Sequence, residues 1–212
     1  MKKLFICVLL VAVGYYSGMA QSGALQQAVN KLDQAQTVKD YQVLEKTFSG
    51  ISDQPAWLPP YYAALCNAKI GFLLQDDGEK IEPFADRGEA LAKQALSLLD
   101  STTQKKELAE VYTVLSMVYR TKVFINPMTY GRKYGVLSGQ MLQKALALEP
   151  GNPRALYVSA WVKYYTPRMW GGDKEQAKKL ATESLQKLGT PGTDVYPHWG
   201  RADDQQLLAK IK

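Results

Sequence analysis

The sequence predicts an all-α protein built from antiparallel pairs of helices. Apolar residues recur at helical spacing in nearly every segment, and no segment keeps the strict alternation that is typical of a half-buried strand. Proline, glycine and capping residues interrupt the chain at short intervals, so the helices are expected to be joined by short turns. These observations predict about eight helices stacked as hairpins, followed by a short C-terminal capping helix.

The first 20 residues have the features of an export signal. Lys2 and Lys3 precede an apolar run from Leu4 to Tyr16, and the small residues Gly18 and Ala20 follow. The run is shorter than the ~20 residues that a membrane-spanning helix needs. We therefore expect cleavage near Ala20 and no membrane insertion of the mature chain.

Cleavage would leave a single domain over residues 21–212, in the periplasm or outside the cell. It would remove Lys2 and Lys3, lowering the formal net charge from +6 to +4, and the remaining basic residues are scattered among acidic ones. A nucleic-acid surface needs clustered basic residues, so no nucleic-acid partner is expected. Cys66 is the one cysteine that remains after cleavage, which excludes an intrachain disulfide.

Periodicity and capping residues place the first three helices. Apolar positions mark one helix between Leu25 and Ala35 and a second between Tyr41 and Ile51. Thr37 and Asp40 form a capping-box pattern between them. Because proline is well tolerated in the first turn of a helix, a third helix is expected to start near Pro59 and run to about residue 74.

The next three helices are placed by turn signals. The turn at Asp76–Gly78 separates the third helix from a fourth that starts at Pro83. Ser101 or Thr102 is expected to cap the fifth helix, which ends at the Asn126-Pro127 break. A sixth helix then follows to residue 148.

The last part of the chain is expected to hold two full helices, a loop and the short closing helix. Asn152-Pro153 opens the seventh helix, and Asp173 caps the eighth, which Gly189 ends. Residues 190–201 are rich in glycine and proline and are expected to form a loop. The closing helix is expected to bury Leu207, Leu208 and Ile211.

Internal repetition favours a solenoid over a simple bundle. Pro127–Gly131 and Pro167–Gly171 share the pattern Pro-x-x-aromatic-Gly, and each is expected to connect a helix to its partner. A small residue also precedes leucine at one equivalent point of three helices, where it would let two helix backbones approach. These small residues are Ala95, Ala145 and Ser184.

Ala145–Ala155 resembles the junction between successive tetratricopeptide repeats, in which a helix ends in Ala-Leu-x-Leu-x-Pro and the next begins after Asn-x. Taken more widely, the chain resembles exported tetratricopeptide-repeat proteins of Bacteroidetes type. The segment Thr166–Asp173 also resembles the periplasmic tetratricopeptide component of some solute transport systems. The chain lacks the Trp and Gly pair that is usual in the first helix of each repeat. The segments similar to the exported proteins are Trp57–Ala64, Asn152–Ala155, Thr166–Asp173 and Pro197–Gly200.

Two segments carry the candidate binding residues. If the C-terminal tail folds back, they form an aromatic pocket suited to a glycan, a peptide or an amphipathic ligand. Alternatively, the loop at Trp170 locks a hairpin and Trp199 closes the end of the core, as solenoid end caps do. The candidates are Trp161, Tyr164, Tyr165, Arg168, Trp170, His198 and Trp199.

No catalytic residue, cofactor or metal site is predicted. The sequence lacks Gly-x-Ser-x-Gly, a phosphate-binding glycine loop, His-Glu-x-x-His and Cys-x-x-Cys. His198 is the single histidine, whereas catalytic zinc normally has three protein ligands. The paired acids Asp76-Asp77 and Asp203-Asp204 flank predicted helices. Acidic side chains there interact favourably with the helix dipole or hydrogen-bond the backbone of a turn.

Three functions are consistent with these features. The leading hypothesis is a non-catalytic scaffold that binds a protein partner in the cell envelope through its stacked hairpins. The second is a periplasmic carrier that holds a small ligand or peptide in the aromatic pocket near Trp170 and Trp199. The third, least favoured, is a hydrolase with a scattered active site.

Overall fold

The computed structural model describes residues 23–189 and 194–211, and all regular structure in these ranges is helical, as predicted. The expected export segment and residues 190–193 of the expected loop lie outside the described residues. Two short 3-10 helices cover Gly78–Lys80 and Arg168–Trp170. The α-helices are α1 (residues 23–32), α2 (Val38–Ser49), α3 (Leu58–Leu73), α4 (Glu82–Ser97), α5 (Lys105–Ile125), α6 (Pro127–Leu148), α7 (Pro153–Tyr165), α8 (Lys174–Lys187) and α9 (Arg201–Lys210).

Successive helices pack against one another as hairpins. α3 packs on α4, α5 on α6 and α7 on α8, with short connections inside each pair. α5 also contacts α3 and α7, so these three helices lie side by side as one layer. α9 packs on α7 and α8. Within residues 23–189 and 194–211, no helix combines the length and apolarity that crossing a bilayer requires.

Most of the predicted caps are present. The Thr37 hydroxyl accepts a hydrogen bond from the Asp40 amide, and the Asp40 carboxylate accepts one from the Thr37 amide at 2.9 Å. Asn152 and Asp173 each accept a bond from the backbone three residues later, at the starts of α7 and α8. α3 begins with two prolines in its first turn. Local capping chemistry therefore fixes these helix starts.

The predicted cap of the fifth helix is wrong. Neither Ser101 nor Thr102 caps it, because α5 begins after Gln104, which makes no side-chain cap bond. The carboxylate of Asp100 instead accepts hydrogen bonds from the amides of Thr102, at 2.7 Å, and Thr103, at 3.0 Å. The aspartate thereby holds these residues in a turn and delays the start of the helix.

The two Pro-x-x-aromatic-Gly segments are not structurally equivalent, which corrects the predicted repeat. Asn126 caps α6, and Pro127 is its first residue, so Pro127–Gly131 is helical. Pro167–Gly171 instead forms a 3-10 turn that ends in a left-handed Gly171, with φ of 91°. A proline after a good capping residue starts a helix. The same sequence pattern therefore adopts two different backbone conformations.

Close helix contacts depend on small residues, as the sequence indicates. Ala95, Ala145 and Ser184 are all completely buried. Gly71 lets α3 approach α5 closely, because a Cβ atom there would lie 2.6 Å from the Cβ of Thr121. This close approach places Phe72, the next residue, in the layer that α3 shares with α5 and α7.

Candidate ligand-binding cavity

An open cavity of about 780 Å³ lies between α3, α7 and α9. α1 and the segment before α9 close one side of it, through Leu32 and Trp199 among others. Its size falls within the range of ligand pockets in proteins. Aromatic rings form much of its wall, and they come from Tyr41, Phe72, Tyr157, Trp161, Tyr165 and Trp199.

The wall from α7 is a stripe of aromatic residues four positions apart. Tyr157, Trp161 and Tyr165 lie on one face of the helix because residues separated by four are neighbours there. The rings of Trp161 and Tyr165 are 4.5 Å apart between centroids. Phe72 of α3 meets Trp161 edge to face at 5.0 Å. The cavity therefore has flat, rigid apolar walls.

Trp199 is held in the wall by a buried polar network. Its indole N–H donates to the Tyr61 hydroxyl at 2.8 Å, and that hydroxyl donates to the Glu110 carboxylate at 3.2 Å. Arg154 donates two bonds of 2.6 Å to Glu110, and Asn152 donates a third. Burial opposes the charged form of Arg154, but its pairing with Glu110 raises the pKa of the guanidinium.

Charged groups lie on the α9 side of the cavity. Lys69 pairs with Asp203 at 2.7 Å, and its ammonium lies 5.4 Å from the Trp199 ring centre. Lys210 donates a 3.0 Å bond to the Tyr165 hydroxyl. Arg201 donates to the Leu188 carbonyl at the end of α8. The cavity therefore places cations beside aromatic rings, an arrangement suited to ligands that are flat and acidic.

His198 lies at the cavity edge with both ring nitrogens occupied. Nδ1 lies 2.9 Å from the Tyr196 carbonyl oxygen, and Nε2 lies 3.1 Å from the Asp33 carboxylate. The histidine therefore links the tail to the residue that follows α1.

No metal site is visible among residues 23–189 and 194–211, since no three His, Cys, Asp or Glu side chains converge there. Cys66 is fully buried, and burial raises the pKa of its thiol. Asp203 and Asp204 lie in the first turn of α9, as the sequence predicts for helix-flanking acids. Asp204 is completely buried, which raises its pKa to about 7, and it accepts a hydrogen bond from Ser184.

The cavity brings together four of the seven predicted candidates: Trp161, Tyr165, His198 and Trp199 all line it. The other three candidates, Tyr164, Arg168 and Trp170, do not line this cavity.

The hydroxyl of Tyr164 donates to the Lys210 carbonyl and so holds α9 in place. Trp170 is 73% exposed, so its side chain does not pack in the core.

Sequence reasoning missed several residues of the site. Tyr157 was detectable, since it precedes Trp161 by four positions on one helix. Lys69 and Phe72 come from α3, far from α7 in the chain, and nothing local indicates that they line the same cavity. Tyr61 and Arg154 act only through the network behind Trp199, which depends on the packing of three hairpins.

Comparison with known proteins gives one informative similarity. The chain matches no family model and no curated protein. Among solved structures it is similar to the HusA haemophore from Porphyromonas gingivalis, with 28% sequence identity and a TM-score of 0.75. The match covers 92% of this chain and 94% of that one. The similarity extends over most of the helical arrangement, and it does not assign this chain to the tetratricopeptide family.

Proposed function

We propose that this protein is an exported, non-catalytic carrier that binds a flat, amphipathic, acidic ligand of the haem class in the cavity between α3, α7 and α9. The observation that carries the proposal is the aromatic cavity of about 780 Å³ with cations at its edge. The similarity over 92% of the chain to a solved haemophore supports it, because that protein is named for carrying haem.

The chemistry of the cavity suits such a ligand. A tetrapyrrole presents a broad apolar face, which stacks favourably on rings such as Trp161 and Trp199. Its carboxylates need cations, and Lys69, Arg201 and Lys210 line the same cavity. Lys69 already pairs with Asp203, so a ligand carboxylate would compete for an ammonium that is held in place.

The groups present favour recognition of the ring face and carboxylates over iron coordination. Both nitrogens of His198 have partners, and the Tyr165 hydroxyl accepts a bond from Lys210. Iron-free porphyrin is therefore expected to bind as well, with an affinity near that of haem.

The scaffold hypothesis stays a second candidate. Its support is the packing of successive helices as hairpins, an arrangement whose surface commonly binds protein partners. The hydrolase hypothesis is disfavoured by the similarity to a carrier protein. Binding, and not turnover, is the activity that the cavity supports best.

Titration with haemin and with iron-free protoporphyrin tests the proposal. We expect absorbance changes and tryptophan quenching with both ligands, and roughly tenfold weaker binding in Trp161→Ala, because that ring forms part of the stacking surface. Trp170→Ala is the matched control, since it removes an indole that lies outside the cavity. Equal affinities of the two variants, or no binding by the unaltered protein, would refute the carrier proposal.

A further inference from the structure

The turn between α7 and α8 presents two large apolar side chains to solvent. Met169 is 83% exposed and Trp170 is 73% exposed, and both belong to the 3-10 helix Arg168–Trp170. Met128, in the first turn of α6, is 97% exposed. No other large apolar side chain in the described residues exceeds 57%. We call Met128, Met169 and Trp170 the apolar tips.

The turn that carries two of these tips is firmly held. The Gly172 amide donates to the Pro167 carbonyl at 3.2 Å, and the Asp173 amide donates to the Lys163 carbonyl at 3.0 Å. The Lys163 ammonium donates to the Gly171 carbonyl at 3.0 Å. A Cβ atom at position 172 would lie 1.7 Å from the Thr166 carbonyl oxygen, so only glycine fits there. The outward direction of Met169 and Trp170 is therefore built into the fold.

The apolar tips lie at the same edge as the cavity mouth. α5 and α7 pack side by side, and Phe124 meets Trp161 at 6.2 Å near their C-terminal ends. The 3-10 turn that follows α7 carries Met169 and Trp170, and the first turn of α6, which follows α5, carries Met128. Leu73 and Tyr165, at the ends of α3 and α7, line the cavity and are about half exposed. The tips thus lie at the end of the α3, α5 and α7 layer where Leu73 and Tyr165 of the cavity wall reach solvent.

Unpaired cations accompany the tips. Arg132 lies one helical turn after Met128, Lys133 follows it, and Arg168 shares the turn with Met169 and Trp170. All three basic side chains are exposed, and none pairs with an acidic side chain in the described part of the chain. Aromatic and aliphatic side chains next to lysine and arginine are the usual anchors of proteins at a membrane interface.

We propose that this edge docks the cavity mouth onto a lipid surface that carries anionic headgroups. Three separate side chains provide far less contact than the ~800 Å² per partner that a stable protein interface needs. Shallow insertion of a few apolar groups beside cations is sufficient for reversible binding to an anionic bilayer. The purpose of docking, which is exchange of an amphipathic cargo with the membrane, rests on the proposed carrier function; the docking itself does not.

Vesicle binding tests the docking proposal. The probes are vesicles of phosphatidylcholine with and without phosphatidylglycerol, and the readouts are co-flotation and quenching of tryptophan fluorescence by brominated lipid. We expect binding to the anionic vesicles, weakened by salt because exposed charges are screened. The double variant Met169→Ser, Trp170→Ser should bind roughly tenfold or more weakly, because it loses the inserted apolar area.

Val43→Ser is the matched control, since Val43 is 57% exposed on α2. Its vesicle binding should equal that of the unaltered protein. Absence of vesicle binding by the unaltered protein, or equal binding by the double variant, would overturn the docking proposal.

Haemin titration of the double variant separates the two proposals. The haemin affinity of the double variant should stay within about twofold of that of the unaltered protein, because surface substitutions outside a site have small effects. If the unaltered protein does not bind haemin, only the carrier function is refuted.

Discussion

The indole N–H of Trp199 donates a 2.8 Å hydrogen bond to the hydroxyl of Tyr61, a residue 138 positions earlier in the chain. That hydroxyl in turn donates to Glu110, which is paired with Arg154. The orientation of Trp199 in the cavity wall is therefore fixed through Tyr61 by the buried ion pair of Glu110 and Arg154. A flat ligand benefits from this arrangement, because a ring that is already oriented loses little entropy on binding.

Removing the hydroxyl of Tyr61 should loosen Trp199 while leaving the core filled. We expect Tyr61→Phe to lose about 1 kcal/mol of stability, the usual value of a buried hydrogen bond. Haemin affinity should fall roughly fivefold, the equivalent of about 1 kcal/mol. Fluorescence titration and thermal unfolding measure the two effects.

Tyr119→Phe is the control for that variant. It also removes a tyrosine hydroxyl that donates to a glutamate, Glu89, but on the far side of α5 from the cavity. It should lower stability by a similar amount and leave haemin affinity unchanged. If both variants bind haemin as tightly as the unaltered protein, Tyr61 does not position Trp199 for binding.

Breaking the buried ion pair should destabilise the protein strongly. Glu110→Gln leaves Arg154 without its counter-ion in a buried position, and removal of one partner of such a pair typically costs about 3–5 kcal/mol. Glu183→Gln removes an exposed partner of Lys187 on α8 and should cost about 0.5 kcal/mol or less. Denaturant unfolding curves of the two variants give the comparison, and similar midpoints would show that the pair contributes little.

Asp204 should make stability fall as pH rises from about 4 to 7. Burial raises its pKa to about 7 in the folded protein, against 3.8 for a free carboxyl. Between these values the folded state holds a proton that the unfolded state has released, so the slope of unfolding free energy with pH is negative. The stability that the protonated Asp204 contributes to the folded state is fully present below about pH 4 and is lost above about pH 7.

Asp204→Asn should remove this dependence. The amide stays neutral, keeps an oxygen that accepts from Ser184, and should raise stability at pH 8 by about 2–4 kcal/mol. Asp203, which pairs with Lys69, and Arg201 also act on Asp204, so the measurement is the difference between the two proteins at pH 5 and at pH 8. A variant whose unfolding temperature follows the same pH profile as the unaltered protein would contradict the assignment.

Two glycines in similar sequence contexts should respond in opposite directions to alanine. Gly131 lies in the first half of α6 with open space around it, so Gly131→Ala should stabilise the protein by about 0.5–1 kcal/mol. Gly171→Ala would put a side chain on a left-handed backbone, with φ of 91°, and should lower the unfolding temperature by several degrees. If both substitutions raise stability, or both lower it, the two Pro-x-x-aromatic-Gly segments would have equivalent backbones.

Local chemistry made much of the fold predictable. The caps at Thr37, Asn152 and Asp173 depend on contacts within three residues, so the residue types at these positions are sufficient to predict them. The predicted start of α5 is wrong because Asp100 binds backbone amides of the residues that were expected to cap it. The predicted equivalence at Pro127 is wrong because a proline can begin a helix as well as end one.

By itself, the sequence determined an all-helical chain, the approximate helix bounds and part of an aromatic stripe on α7, since these follow from spacing and capping along the chain. Only the tertiary structure decided that Trp199 reaches Tyr61, that Lys69 of α3 pairs with Asp203 of α9, and that Trp170 faces outward. The physical reason is that such contacts depend on how hairpins stack and on the backbone angles of one turn, and spacing along the chain encodes neither.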